Sequence, residues 1–184
     1  MEKTSLDALT PAEWAVLERQ RNAYLRDHQA EQALRLLTAS AGDPSFGYTV
    51  NMYRHALQSA TMALRDGLDE ETVVVTLLHD IGFLACPCGH GEMAAALLGP
   101  YVSERNRWML ARHAIFQDHH VAGHPGAGRR ERWRGHPHFA WTAEWVARYD
   151  QNAQDASYDC APLEVFEPMV RRIFAREPRP IVPD

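Results

Sequence analysis

The chain has 184 residues, 46% of them hydrophobic, and its 19 basic and 24 acidic side chains leave a formal net charge of -5. That length suits one domain with a real core, and the modest negative charge gives no reason to expect nucleic acid or an anionic membrane as the main partner. No apolar run approaches the roughly 20 residues that span a bilayer. The segment from Met1 to Leu9 is polar and acidic, unlike a secretory signal, so the expected location is cytoplasmic. Three cysteines, Cys86, Cys88 and Cys160, make no disulfide framework, and Cys86-Pro87-Cys88 has no second pair to complete a structural zinc site.

In chain order the segments read as helices. Thr10-Pro11-Ala12-Glu13 starts the first, with threonine as N-cap, proline at the first position and glutamate at the third; it runs through Trp14, Leu17 and Tyr24. Ala30 to Ala39 forms a second stretch, broken at Gly42-Asp43-Pro44. A loop from Asp43 to Tyr48 leads into a helix from about Thr49 to Arg65, with Met52, Ala56, Leu57, Ala60, Ala63 and Leu64 in helical period and Gly67 as its stop. Asp69 caps the next helix, and Glu70 and Glu71 sit in its first turn, where the macrodipole favours negative charge. This helix runs to His79-Asp80 and ends by Gly82.

Past the loop Phe83 to Gly89, His90 opens a helix that Gly99-Pro100 terminates, and Ser103 starts another that carries His113 and Phe116. The stretch Asp118 to Gly135 is irregular and rich in Gly, Arg and His. Pro137 sits as a first-turn proline for a helix over Phe139 to Tyr149, and a last helix spans Leu163 to Phe174. No β pattern competes, because the caps around the β-branched run Thr72 to Leu78 favour helix. The fold class is therefore all-α, one compact domain: an N-terminal extension over about 10–42, a core over about 43–151, and a C-terminal helix and tail over 152–184.

The core carries the chemistry. Nine of the ten histidines fall between His55 and His138, and such clustering points to metal. His79-Asp80 closes the apolar run from Val73 to Leu78. Burying an imidazole and a carboxylate side by side costs several kcal/mol unless something pairs with them, and a metal ion takes both. His55, His90, His113 and Asp150 lie on four other predicted helices, so the six side chains meet only if the helices pack around a shared centre. Two carboxylates with four imidazoles exceed what one ion needs and suit a two-metal site bridged by an aspartate. His119, His120, His124, His136 and His138, with Arg129, Arg130, Arg132 and Arg134, offer a cationic lid for an anionic substrate, or simply a solvated loop.

The segments His55-Ala56-Leu57-Gln58-Ser59-Ala60 and Leu77-Leu78-His79-Asp80-Ile81-Gly82, with Asp150, resemble the H…HD…D pattern of the HD-domain superfamily. With His90 and His113 the chain is most similar to the dinuclear HD subgroup and, within it, to the oxygen-activating enzymes. These include myo-inositol oxygenase and the HD oxygenase that cleaves a hydroxy-aminoethylphosphonate. The resemblance covers about 43–151 and implies a helical HD bundle with a mixed-valent Fe(II)/Fe(III) pair in its core. It implies that Asp80 bridges the irons, with His55, His79 and Asp150 on one and His90 and His113 on the other.

The activity it implies is O2-dependent cleavage of a C–C or C–P bond in a small polar, hydroxylated or anionic substrate. Tyr48, Gln117 and His120 are the candidates for substrate contact. The alternative is a metal-dependent phosphohydrolase acting on a phosphate ester, which needs the same ligands. A binding protein with a degenerate site is a third reading, which the intact ligand set disfavours. The expected partner is a small molecule, with neither nucleic acid nor membrane.

Overall fold

The computed structural model describes residues 4–179, and among them the chain forms seven α-helices and no strand. These are α1 (Pro11–Ala39), α2 (Met52–Arg65), α3 (Glu70–Leu78), α4 (His90–Leu98), α5 (Glu104–Gln117), α6 (Phe139–Trp145) and α7 (Leu163–Phe174). No helix among the described residues is long and apolar enough to cross a membrane.

α1 begins with the expected capping box. Thr10 Oγ1 accepts from the Glu13 amide at 3.3 Å, and Glu13 Oε2 accepts from the Thr10 amide at 2.9 Å. The two predicted stretches, Thr10 to Tyr24 and Ala30 to Ala39, are one continuous helix. The apolar period lapses over Arg26-Asp27-His28-Gln29, but no glycine or proline interrupts the backbone there. Only the C-terminal part packs on the core, through Ala30, Ala33, Leu34 and Leu37, while Trp14, Tyr24 and Leu25 stay exposed.

α2 starts at Met52 rather than near Thr49. The Thr49 hydroxyl donates to the distant Gln154 carbonyl, and Asn51 takes the cap by accepting from the Arg54 amide at 2.9 Å. α2 buries nearly its whole circumference, from His55 through Thr61 and Ala63. Its small side chains at Ala56, Ser59, Ala60 and Ala63 let α3 pack close alongside. Gly67, at φ 73°, makes the turn between them.

α3 is the axis of the bundle. Asp69 caps it by accepting from the Thr72 amide at 3.0 Å, and Thr72 to Leu78 are all buried. The two threonines in this apolar helix are satisfied locally and across the core. Thr76 Oγ1 donates to the Thr72 carbonyl at 2.7 Å and accepts from the Trp145 indole at 2.9 Å. The helix ends at Leu78, one residue before His79. α7 covers α3 with Phe166, Val170 and Ile173, and Arg172 and Arg176 reach Glu70 and Glu71 at the start of α3.

α4 and α5 pack against each other, and Gly91 sets how closely. A Cβ at Gly91 would lie 2.6 Å from the Leu110 carbonyl oxygen and 3.2 Å from the His113 ring. The predicted helix over Phe139 to Tyr149 is α only to Trp145; Val146–Asp150 is a π-turn, closed by the Gln151 amide on the Val146 carbonyl at 3.1 Å. Pro137 stands outside α6, whose first residue is Phe139. The irregular stretch contains two short 3-10 turns, Asp118–His120 and Arg129–Trp133.

Candidate metal centre

Six side chains from these elements converge where α2, α3, α4, α5 and the π-turn meet. His55 projects from the first turn of α2, His79 caps the C-terminus of α3, and Asp80 follows it into the turn. His90 opens α4, His113 lies on the buried face of α5, and Asp150 ends the π-turn. His55, His79, His113 and Asp150 are buried to 2% exposure or less, while Asp80 and His90 keep 11% and 12% of their side chains open. The structure thus brings together all six residues expected to ligate metal.

The orientation of the rings carries the chemistry. Each Nδ1 faces a backbone carbonyl: His55 that of Ala153 at 3.1 Å, His79 that of Thr76 at 2.7 Å. His90 faces Pro87 at 3.0 Å and His113 faces Leu110 at 2.7 Å. A carbonyl only accepts, so each Nδ1 donates to it, which leaves Nε2 as the nitrogen turned to the cluster and able to ligate a metal. The Gln154 side-chain nitrogen also lies 3.3 Å from His55 Nδ1, and its oxygen is buried without a hydrogen-bond partner.

All four Nε2 atoms point inward. Those of His55 and His79 are 3.1 Å apart, and those of His90 and His113 are also 3.1 Å apart. Asp80 lies between the two pairs. Its Oδ2 is 3.5 Å from His55 and 3.3 Å from His79, and its Oδ1 is 3.3 Å from His90 and 3.2 Å from His113. Asp150 Oδ1 is 3.6 Å from His55 and 3.7 Å from His79.

Lone pairs facing lone pairs at these distances repel unless a positive charge sits among them. Burial disfavours the His79 imidazolium, yet Asp80 and Asp150 outweigh it and hold its pKa well above the ordinary histidine value. Burial likewise pushes both carboxylates up, but His79 and His113 hold Asp80 well below the usual range. His55 and His79 do the same to Asp150. Protons or a metal ion can supply the charge, and a metal accepts several nitrogen and oxygen lone pairs at once where a proton is shared between two. Three ligand triples can each hold an ion, their donor atoms lying within 4.8 Å of one another: His55, His79 and Asp80; His79, His113 and Asp150; Asp80, His90 and His113. One buried donor, Asp150 Oδ2, has no hydrogen-bond partner at all, which fits a ligand atom.

A small mouth of about 40 Å³ opens onto the cluster, lined by Tyr48, Met52, Phe83, Gln117 and Gln154 together with His55, Asp80 and His90. Tyr48 and Gln117, both expected near a substrate, stand there. Gln117 is tied down, its Nε2 donating to Asp150 Oδ1 at 2.9 Å. His120 is exposed on the turn after α5 and outside the mouth lining, and burial, His119 and Arg130 lower its pKa.

The arginines weighed as a lid do not line the mouth either. Arg130 pairs with Glu131 at 3.4 Å, Arg132 stacks 3.8 Å over Trp133, and Arg134 pairs with Glu131. Met52, Phe83 and Gln154 were not expected as lining; Phe83 packs edge-on against His90, with ring centroids 5.5 Å apart. Nothing in the local sequence marks Gln154, which reaches the site by chain return alone. No family model and no curated protein matches this chain, which leaves the geometry of the cluster to carry its chemistry.

Proposed function

We propose that the cluster holds two iron ions in the Fe(II)/Fe(III) state and that the protein is a non-haem diiron oxygenase. It would use O2 to cleave a C–C or C–P bond in a hydroxylated or anionic substrate. The observation that carries this reading is the division of Asp80, one carboxylate oxygen toward the His55–His79 pair and the other toward His90–His113. That is the disposition of a bridge between two ions, with Asp150 completing the first pair.

When bound, iron supplies electron transfer with O2 and open positions for a substrate hydroxyl; one O2 accepts the four electrons of the cleavage without an external reductant. The chain's own residues do the rest. The four carbonyls fix the imidazole tautomers, Gln117 orients Asp150, and the packing of Trp145 against His79 keeps water from the inner side. Tyr48 stands at the rim with its hydroxyl available to a substrate oxygen. The same ligand set would serve a phosphohydrolase, in which the two metals would clamp a phosphate ester.

The test is anaerobic purification with metal analysis and EPR, followed by O2 uptake against polyols, 2-hydroxyphosphonates and related acids. A coupled Fe(II)/Fe(III) signal with substrate-dependent O2 consumption is expected. Redox-inert metal only, with phosphate esters turned over in the absence of O2, overturns it in favour of the hydrolase.

A further inference from the structure

We propose that the substrate carries an apolar group of about four or five carbons beside the atoms that meet the metals, and that this group lies in a second cavity reached through the mouth. The proposal rests on the metal-site reading above and specifies the substrate class.

The cavity, about 120 Å³, lies between the C-terminal end of α1, the start of α2 and the turn after α3. Leu37, Ala39, Ala56, Leu77, Ile81 and Leu84 form most of its wall, and Asp80 and Ser40 are the polar residues among its lining. It shares Met52, Asp80 and Phe83 with the mouth, so the two spaces adjoin across these residues. Its volume is a little below the roughly 150 Å³ of an apolar cavity that stays dry and admits benzene, which sets the four-to-five-carbon scale.

The two spaces differ in chemistry. Around the metal ligands the mouth offers a phenol and two carboxamides, groups that orient a polar head. The larger cavity offers no hydrogen-bonding side chain beyond Ser40 and Asp80, so a polyol or a compact zwitterion would lose most of its hydration along the aliphatic walls without compensation. Leu36 and Leu84, 44% and 52% exposed, continue the apolar lining out to the rim. A ligand with an oxygen-bearing head and a short alkyl or aryl tail matches both spaces at once.

The experiment is calorimetry on the iron-loaded protein under anaerobic conditions, titrated with straight-chain 2-hydroxy acids from glycolate to 2-hydroxyoctanoate, with metal stoichiometry measured on every sample. Affinity is expected to rise about fourfold per added methylene and to level off once the cavity is full. Ala39→Trp and Leu84→Trp, at two separate segments of its lining, should each flatten that dependence. Ala96→Trp, in the separate groove between α4 and α5, should leave it unchanged. Metal-loaded protein whose affinity ignores chain length overturns the proposal and leaves the metal site standing, as does a dependence that Ala96→Trp flattens and the other two variants preserve. Failure to take up metal overturns both readings.

Discussion

Gln117 donates a 2.9 Å hydrogen bond to Asp150 Oδ1, while Asp150 Oδ2, equally buried, has no partner. Oδ1 thus takes this bond while also facing His55 and His79 at 3.6 and 3.7 Å. Gln117→Ala should release the carboxylate and lower metal affinity about 10- to 100-fold, the usual cost of losing an outer-shell partner. Competition against a chelating dye measures this, and the thermal midpoint of the metal-free protein should move little, since Gln117 is only part-buried.

Asp80 faces both imidazole pairs, whereas His90 faces only one. Asp80→Asn, which replaces one acceptor oxygen by an NH2 group, should take the metal-to-protein ratio from about two to near zero. His90→Ala should leave the His55–His79 side occupied. Elemental analysis of anaerobically purified variants separates the two outcomes.

Gly91 lets α4 start hard against α5. Gly91→Ala puts a methyl 2.6 Å from the Leu110 carbonyl oxygen, a backbone atom that cannot swing aside. Overpacking of this kind costs about 1–3 kcal/mol. Because the two helices must part to accept it, His90 and His113 separate as well. Denaturant unfolding should show the lost stability, and metal analysis should show the loss of one ion before the other.

Glu71 provides a pH dependence remote from the metal ligands. Burial pushes its carboxyl up, but the Ser103 amide, Arg176 and Asn106 outweigh burial and hold it below the ordinary value of 4.5. A depressed folded-state pKa gives stability that is present above 4.5 and is lost as pH falls through the lower, folded-state value. Wild type should therefore lose stability relative to Glu71→Gln over that acidic range, and the gap between them should be widest near neutrality. Denaturant midpoints at neutral pH and at successive steps below 4.5 check the sign.

Much of this architecture was legible in the sequence because caps are local. Thr10, Asp69 and Ser103 each accept from the amide three residues on, as their residue types and positions predict. Three features were not legible, each for a physical reason. α1 runs unbroken where its apolar stripe lapses, because backbone propensity sustains a helix that packing does not reach. The start of α2 is displaced to Asn51 because the Thr49 hydroxyl is engaged by a residue about a hundred positions away. The π-turn at Val146–Asp150 has no compositional signature, yet it presents Asp150 to the cluster. The six clustered side chains were readable as residue types on predicted helices; the mouth around them was not, since Gln154 and Phe83 acquire their places from the fold.

The carbonyls that fix the four imidazoles divide unequally along the chain. His79, His90 and His113 each lean on the residue three positions before them, Thr76, Pro87 and Leu110. Those rings are set within a single turn of their own backbone, as early as that turn forms. His55 alone leans on a distant carbonyl, Ala153, 98 residues downstream. Closing so long a loop carries an entropic cost that a contact three residues away does not. The orientation of three rings therefore depends on local backbone, while that of His55 depends on the return of the chain beyond the π-turn.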